Sequence, residues 1–280
     1  MALKYNTLAL DSGGEIARLL FSWELKKKSS EMEKIRQPNN YPGMTERLDI
    51  IVRALRNLRD LGMNVVITGH EDIQAIYAKG GMIAAKNEPA PEPIAVRGWL
   101  DIPGRTSPQE LERVIDQLFH VRTVNGKVQW IARKESIGPG AGDWDVKDRF
   151  DACSHDTGIL PPSYKEIKQI FSKHPNWQDS FIWAIYGPPG IGKTRQILTF
   201  PPPIKILDVD KGHASIRDYL KLNGGSVRAC IPGSKDNYTM VEKESFPIPV
   251  QGKQVDIITF DSEDYSSYMP FLQEISECLK

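Results

Sequence analysis

Eight consecutive residues carry the most specific chemistry in the chain. Gly187-Pro188-Pro189-Gly190-Ile191-Gly192-Lys193-Thr194 fits the pattern G-x-x-x-x-G-K-[ST] at every position. Glycines at these places let the backbone curl so that its N–H groups face phosphate oxygens. The lysine ammonium then reaches the β and γ phosphates, and the threonine hydroxyl holds Mg²⁺. Arg195 follows at once and belongs to the same binding segment. A helix opening here would direct its positive end at the anion. From average residue usage, the odds of a chance match in a chain of this length are on the order of 1%. The bland alternative is a glycine-rich turn that binds nothing. The apolar run Phe181–Tyr186 leading straight into the loop argues against it. The motif therefore points to a purine triphosphate with Mg²⁺, ATP being the simplest choice.

Hydrolysis at such a loop also needs an acidic residue at the end of a buried strand, to organise Mg²⁺ and water. Two segments of the same form offer one. Thr7-Leu-Ala-Leu is followed by Asp11-Ser12, and Ile257-Ile-Thr-Phe by Asp261-Ser262. Either alone is a weak signal, because many strands end in Asp. A matching pair at opposite ends of one chain is less ordinary.

The elements that must position these residues follow from hydrophobic patterning. Residues 5–10, 64–68, 181–186, 204–209 and 255–260 read as buried strands. Residues 15–25 and 264–279 read as helices. So do residues 108–118, with Ser107 as N-cap. Residues 44–61 form an amphipathic helix with Leu48, Ile51, Val52, Leu55 and Leu58 on one face, Thr45 as N-cap and Gly62 as its stop. Asn125-Gly126 marks a hairpin between 118–124 and 127–133. Residues 26–43, 85–93 and 138–142 carry loop composition. Residues 151–180, with a short helix near 163–172, read as a linker. Strands alternating with helices predict an α/β fold with a parallel sheet.

With Thr68-Gly69-His70 and Lys147-Asp148-Arg149 added, these elements resemble phage-type ATPases of the RecA/Rad51 superfamily, which include single-strand annealing proteins of phage recombination. The resemblance covers about 1–150 and 181–280. It implies a RecA-like P-loop NTPase fold, a three-layer α/β sandwich with a mostly parallel central sheet. It also implies ATP hydrolysis in DNA recombination or repair on single-stranded DNA, by a homo-oligomeric ring or filament.

The family order runs P-loop, second strand with an acidic residue, Walker B strand, sensor strand, basic finger. In this chain it is rotated. Residues 1–150 hold the later half and 181–280 the opening half, with a Walker B-like element in each. One reading is a circular permutant with that strand duplicated, joined through 151–180. Because the superfamily's sensor strand lies between the P-loop and Walker B strands, 64–68 must then insert beside 181–186. The other reading is the tail of one ATPase fused to the head of a second.

The resemblance assigns roles residue by residue. Lys193 and Thr194 take phosphate and Mg²⁺. Asp11 or Asp261 takes the Walker B place as a metal ligand. Asp210 stands where the water-activating glutamate is expected, with a shorter carboxylate. His70 stands where a γ-phosphate sensor would lie. Lys147 and Arg149 resemble the basic pair that reaches a neighbouring subunit's site, where arginine stabilises the transferring phosphoryl group. The loops at 24–43 and about 71–97 would contact single-stranded DNA, through Lys26, Lys27, Lys28, Lys34 and Arg36 in the first, and Tyr77, Lys79, Lys86 and Arg97 in the second. Each of the four flanking roles has a plain structural alternative: a turn for Asp210, a loop histidine for His70, a solvated charged loop for Lys147 and Arg149.

Composition sets outer bounds. Lys+Arg and Asp+Glu both number 36, so bulk charge predicts neither a nucleic-acid nor a membrane partner, and any such site is a local patch. The three cysteines, Cys153, Cys230 and Cys278, form no C-x-x-C pair, which argues against a disulfide scaffold. Cys153-x-His155 is half of a zinc pattern with no second half. No apolar stretch has the length of a membrane span, and the first residues lack a signal-peptide pattern, so a cytoplasmic protein is expected. Two rivals remain from other classes: a different P-loop ATPase such as an AAA+ protein, and a nucleotide-binding module without turnover.

Overall fold

In the computed structural model the described residues are 3–25, 41–76, 95–101, 111, 113–132, 143–149, 158–232, 238–246, 254–262 and 264–279. The strands are β1 (Thr7–Asp11), β2 (Asn64–Ile76), β3 (Ala95–Leu100), β4 (Gln117–Val124), β5 (Lys127–Ile131), β6 (Asp143–Trp144), β7 (Lys147–Asp148), β8 (Ile159–Leu160), β9 (Ile182–Gly187), β10 (Ile204–Asp208), β11 (Gly225–Pro232), β12 (Tyr238–Phe246) and β13 (Val255–Thr259). The helices are α1 (Gly13–Leu25), α2 (Tyr41–Asp60), α3 (Tyr164–Phe171), α4 (Lys193–Ile197), α5 (Arg217–Asn223) and α6 (Tyr268–Glu277).

The molecule is an α/β protein built on one large, mostly parallel mixed sheet. Its spatial order is β12-β11-β13-β10-β1-β2-β9-β4-β5-β8. The central strands β13, β10, β1, β2, β9 and β4 run parallel. They read as unbroken apolar runs because both faces are covered: every residue of β1, β9 and β10 is buried. One hydrophobic cluster joins one face of the sheet to α1, α2 and α6, and a second joins the other face to α3, α4 and α5. Among the described residues no helix is long and apolar enough to cross a membrane.

Helix α2 follows its predicted stripe, with Leu48, Ile51, Val52, Leu55 and Leu58 all buried. It starts at Tyr41, so Thr45 lies inside the helix and is not its cap. Gly62, at φ 96°, ends it: Gly62 N–H donates to Arg59 O and Met63 N–H to Leu58 O. That pairing is a Schellman closure, which needs the left-handed residue that glycine supplies most readily. Asn125 and Gly126, at φ 51° and 74°, make the two-residue turn between β4 and β5.

Three expectations change. The helix predicted over 108–118 stops before Gln117, where β4 begins; of its residues, 108–110 and 112 lie outside the described set. Segment 151–180 is more than a spacer. From Gly158 on it is packed structure, with Leu160, Tyr164, Ile167 and Phe171 buried in the core. Strand β2 outruns its predicted 64–68. Residues up to His70 pair with the central sheet, and Glu71–Ile76 continue as an antiparallel hairpin with β3. The hairpin β11–β12 and helix α5 were not expected at all.

The second strand-Asp-Ser element does not duplicate the first in space. Strand β13 lies beyond β10, with β10 between it and β1. Helix α6 leads from β13 back toward the start of β1. There Lys205, buried on β10, meets both ends of the chain. Its Nζ lies 2.6 Å from Glu274 Oε2 and 5.5 Å from the centroid of the Tyr5 ring.

Candidate nucleotide site

The strand order puts β9, which enters the P-loop, directly beside β2, and β2 beside β1. Residues far apart in sequence therefore converge at the C-terminal ends of three adjacent parallel strands. This is where ligands bind in open α/β sheets. Thr194 Oγ1 donates to Asp11 Oδ2 at 2.7 Å. Thr68 Oγ1 donates to the other oxygen, Asp11 Oδ1. His70 Nε2 lies 3.2 Å from Asp210 Oδ2. Strand register aligns His70 with Gly187, the first residue of the loop.

Local backbone geometry forces the glycines of the loop. Gly190 and Gly192 have φ of 78° and 85°, in the left-handed region. At Gly187 a Cβ would stand 2.5 Å from Val121 O, a backbone atom that cannot swing away. Lys193 is mostly buried, and its Nζ donates to Gly187 O at 2.9 Å and Pro188 O at 2.8 Å. Burial lowers its pKa, while the charges of Asp11, Glu71 and Asp210 oppose that shift. Helix α4 spans only five residues, so an anion here would meet the loop's own N–H groups more than a helix dipole.

Asp11 is nearly fully buried, and burial pushes its pKa up to about 6. The hydroxyls of Thr68 and Thr194 pull it down, and the nearby Asp208 and Asp210 charges push it up again. A buried carboxylate held this way, at some cost, is suited to a cation.

Asp208 was missed in the sequence. It is fully buried and accepts from Gly212 N (2.9 Å), His213 N (3.1 Å) and His213 Nδ1 (2.5 Å). The hydrogen bond to Asp208 raises the His213 pKa. This turn lays Gly212 against the site: a Cβ there would meet Asp11 Oδ2 at 2.7 Å and Thr194 Oγ1 at 2.8 Å. Glu71 was also missed; it lies one residue past His70. The alternation Asp208-x-Asp210 and the adjacent acid in His70-Glu71 were the available signals.

Asp261, Lys147 and Arg149 are not brought to this cluster. Asp261 lines a separate crevice with Lys211, His213, Arg217 and Lys243. Its strand lies two strand spacings, ~10 Å, from β1. Arg149 Nη1 is 3.1 Å from Asp116 Oδ1, and its Nη2 donates to Arg113 O. Asp116 Oδ2 also accepts from Ile182 N at 2.9 Å, at the far end of β9 from the loop. The length of β9, ~17 Å, therefore separates Arg149 from the P-loop of its own chain. Lys147 pairs with Leu118 at that same end. Of the two basic loops, 26–40 and 77–94 lie outside the described residues, as does Cys153-x-His155.

Among the described residues no group of three or more His, Cys, Asp or Glu side chains could hold a metal by itself. That does not count against Mg²⁺, which takes one or two carboxylates, several waters and the substrate's phosphates in place of an all-protein cage. Thr194 and Asp11 fit that pattern, and the Ser12 hydroxyl beside them is buried without a hydrogen-bond partner. Comparisons with protein-family models, with curated proteins and with solved structures give no match for this chain.

Proposed function

We propose that this chain is a RecA-like ATPase in rotated sequence order, acting on single-stranded DNA in recombination or repair. The observation that carries the reading is the 2.7 Å contact between the P-loop hydroxyl of Thr194 and the strand-end carboxylate of Asp11. The order β9-β2-β1 supports it, since the superfamily resemblance requires a sensor strand between the P-loop and Walker B strands.

The role of each residue follows from its place. The N–H groups of Gly190–Thr194 cradle phosphate, and Lys193 leaves its loop carbonyls for the β and γ oxygens. Thr194 and Asp11 would hold Mg²⁺, which neutralises charge developing between the β and γ phosphates. His70 reports the γ phosphate to the hairpin β2–β3, because sensor and hairpin share one uninterrupted strand. Arg149, held at the far end of β9, acts in a neighbouring copy.

The position of β13 favours a simple permutation over a duplication. Helix α6 then serves as the crossover from β13 to β1, with its covalent link moved to the segment before β9.

A second reading, nucleotide binding without turnover, draws on Asp210. Its carboxylate is short, part-exposed and already engaged by His70. ATP hydrolysis measured with and without single-stranded DNA, beside Lys193→Ala, separates the two. Turnover that rises with DNA and vanishes in the variant is expected. Binding without turnover in the wild type sinks the ATPase and leaves the module.

A further inference from the structure

We infer that Glu71, held by His120, is the carboxylate that orients and deprotonates the attacking water at the P-loop. This rests on the ATPase reading and departs from the assignment of that role to Asp210.

Three carboxylates act electrostatically on Lys193: Asp11, Glu71 and Asp210. Asp11 is committed to Thr194 and Thr68. Asp210 is part-exposed and bound to His70. Glu71 is different on each count. It is longer by a methylene, its side chain is only 12% exposed, and it follows the residue in register with Gly187. His120 Nε2 lies 3.0 Å from Glu71 Oε2.

His120 is itself locked. It is buried on β4, the strand on the other side of β9, and its ring packs on Tyr186 at 5.2 Å between centroids. Burial lowers its pKa, and the nearby Lys193 and Arg122 charges act in the same direction against Glu71. A neutral imidazole with its proton on Nε2 donates to the carboxylate and aims it. Strands β2 and β4 thus bracket β9 and deliver an oriented base to the mouth of the loop.

The step balances without further reactants. The water oxygen forms a bond to the γ phosphorus as the bond from that phosphorus to the β–γ bridging oxygen breaks. The electron pair leaves with ADP. The water proton passes to Glu71 and then to the released phosphate. Glu71 is the catalytic residue; His120 is a positioning residue.

The test is hydrolysis and ATP affinity of the full chain, with Mg²⁺ and single-stranded DNA, in Glu71→Gln, Asp210→Asn and His120→Phe. Glu71→Gln is expected to lower kcat at least ~100-fold, with ATP affinity within threefold of wild type. Asp210→Asn is expected to lower kcat less than Glu71→Gln. His120→Phe keeps the packing on Tyr186 but removes the donor. Loss of the hydrogen bond that aims Glu71 is expected to move the acid limb of the kcat–pH profile. A merely structural contact would leave that limb in place. Glu71→Gln turning over within threefold of wild type overturns the assignment while the ATPase stands. Should Glu71→Gln not fold, an unmoved acid limb in His120→Phe overturns it instead. A wild type that binds ATP without turnover overturns the ATPase reading itself.

Discussion

Thr194 Oγ1 and Asp11 Oδ2 are 2.7 Å apart across 183 residues of sequence. No local propensity makes that contact. It exists because β2 slots between β9 and β1, which brings the ends of strands from both halves of the chain onto one line.

Asp11 and Asp261 end strands of the same form, but only Asp11 touches the P-loop. Asp11→Asn is expected to lower kcat for Mg²⁺-ATP by ~100-fold or more, since metal-centred charge stabilisation contributes several kcal/mol. Asp261→Asn should stay within threefold of wild type. Steady-state kinetics over a Mg²⁺ titration checks both; equal losses would return Asp261 to the metal site.

The same Asp11 makes stability depend on pH. Its pKa rises from 3.8 unfolded to about 6 folded, so folding favours the protonated form. Its contribution is fully present below pH ~4 and is lost as pH rises through ~6. At pH 7.5, without nucleotide or Mg²⁺, Asp11→Asn should therefore be more stable than wild type, by on the order of 2 kcal/mol. The difference should shrink toward pH 4. Urea melts at the two pH values measure it, and a variant less stable at pH 7.5 would contradict the burial argument.

Asp116 is fully buried and binds Arg59, Arg149 and the Ile182 N–H. Asp116→Ala leaves buried groups unpaired and should cost ~3 kcal/mol or more in urea unfolding. Arg149→Ala leaves Arg59 in place and should cost ~1 kcal/mol. If Arg149 also serves a neighbouring site, Arg149→Ala loses turnover with ATP affinity intact. Mixing it with Lys193→Ala subunits then restores part of the activity, because each supplies what the other lacks. Mixtures no more active than the separate variants would confine Arg149 to its structural role.

Lys205 touches both Glu274 near the end of α6 and Tyr5 ahead of β1. A rearranged chain, opened within 151–157 and joined from Lys280 to Met1 by a short Gly-Ser linker, should keep the same sheet. Its melting temperature is expected within ~5 °C of the original, a difference of ~1–2 kcal/mol. Two separate unfolding transitions would favour two fused partial folds.

Much of this was legible in the residues themselves. The P-loop is a contiguous pattern whose glycines answer to local φ and close approach, so it needed no tertiary information. The buried strands 181–186, 204–209 and 255–260, the α2 stripe and the Asn125-Gly126 turn followed from periodicity and turn chemistry. The alternation of strands and helices also carried the α/β class. Strand order was a different matter. Asp11 and Asp261 read alike because each ends an apolar strand in Asp-Ser, and no one-dimensional pattern says which strand lies beside β2. Asp208 and Glu71 were overlooked because their importance lies in what they meet, the backbone of Gly212 and the ring of His120. Arg149 looked like a free finger until the fold gave it a buried partner. The sequence by itself determined the glycine-rich loop at 187–194 and most elements of the sheet, since these depend on neighbours a few residues away. Only the tertiary structure decided which carboxylates surround Lys193, because a parallel sheet selects its neighbours by packing both faces, whatever their distance along the chain.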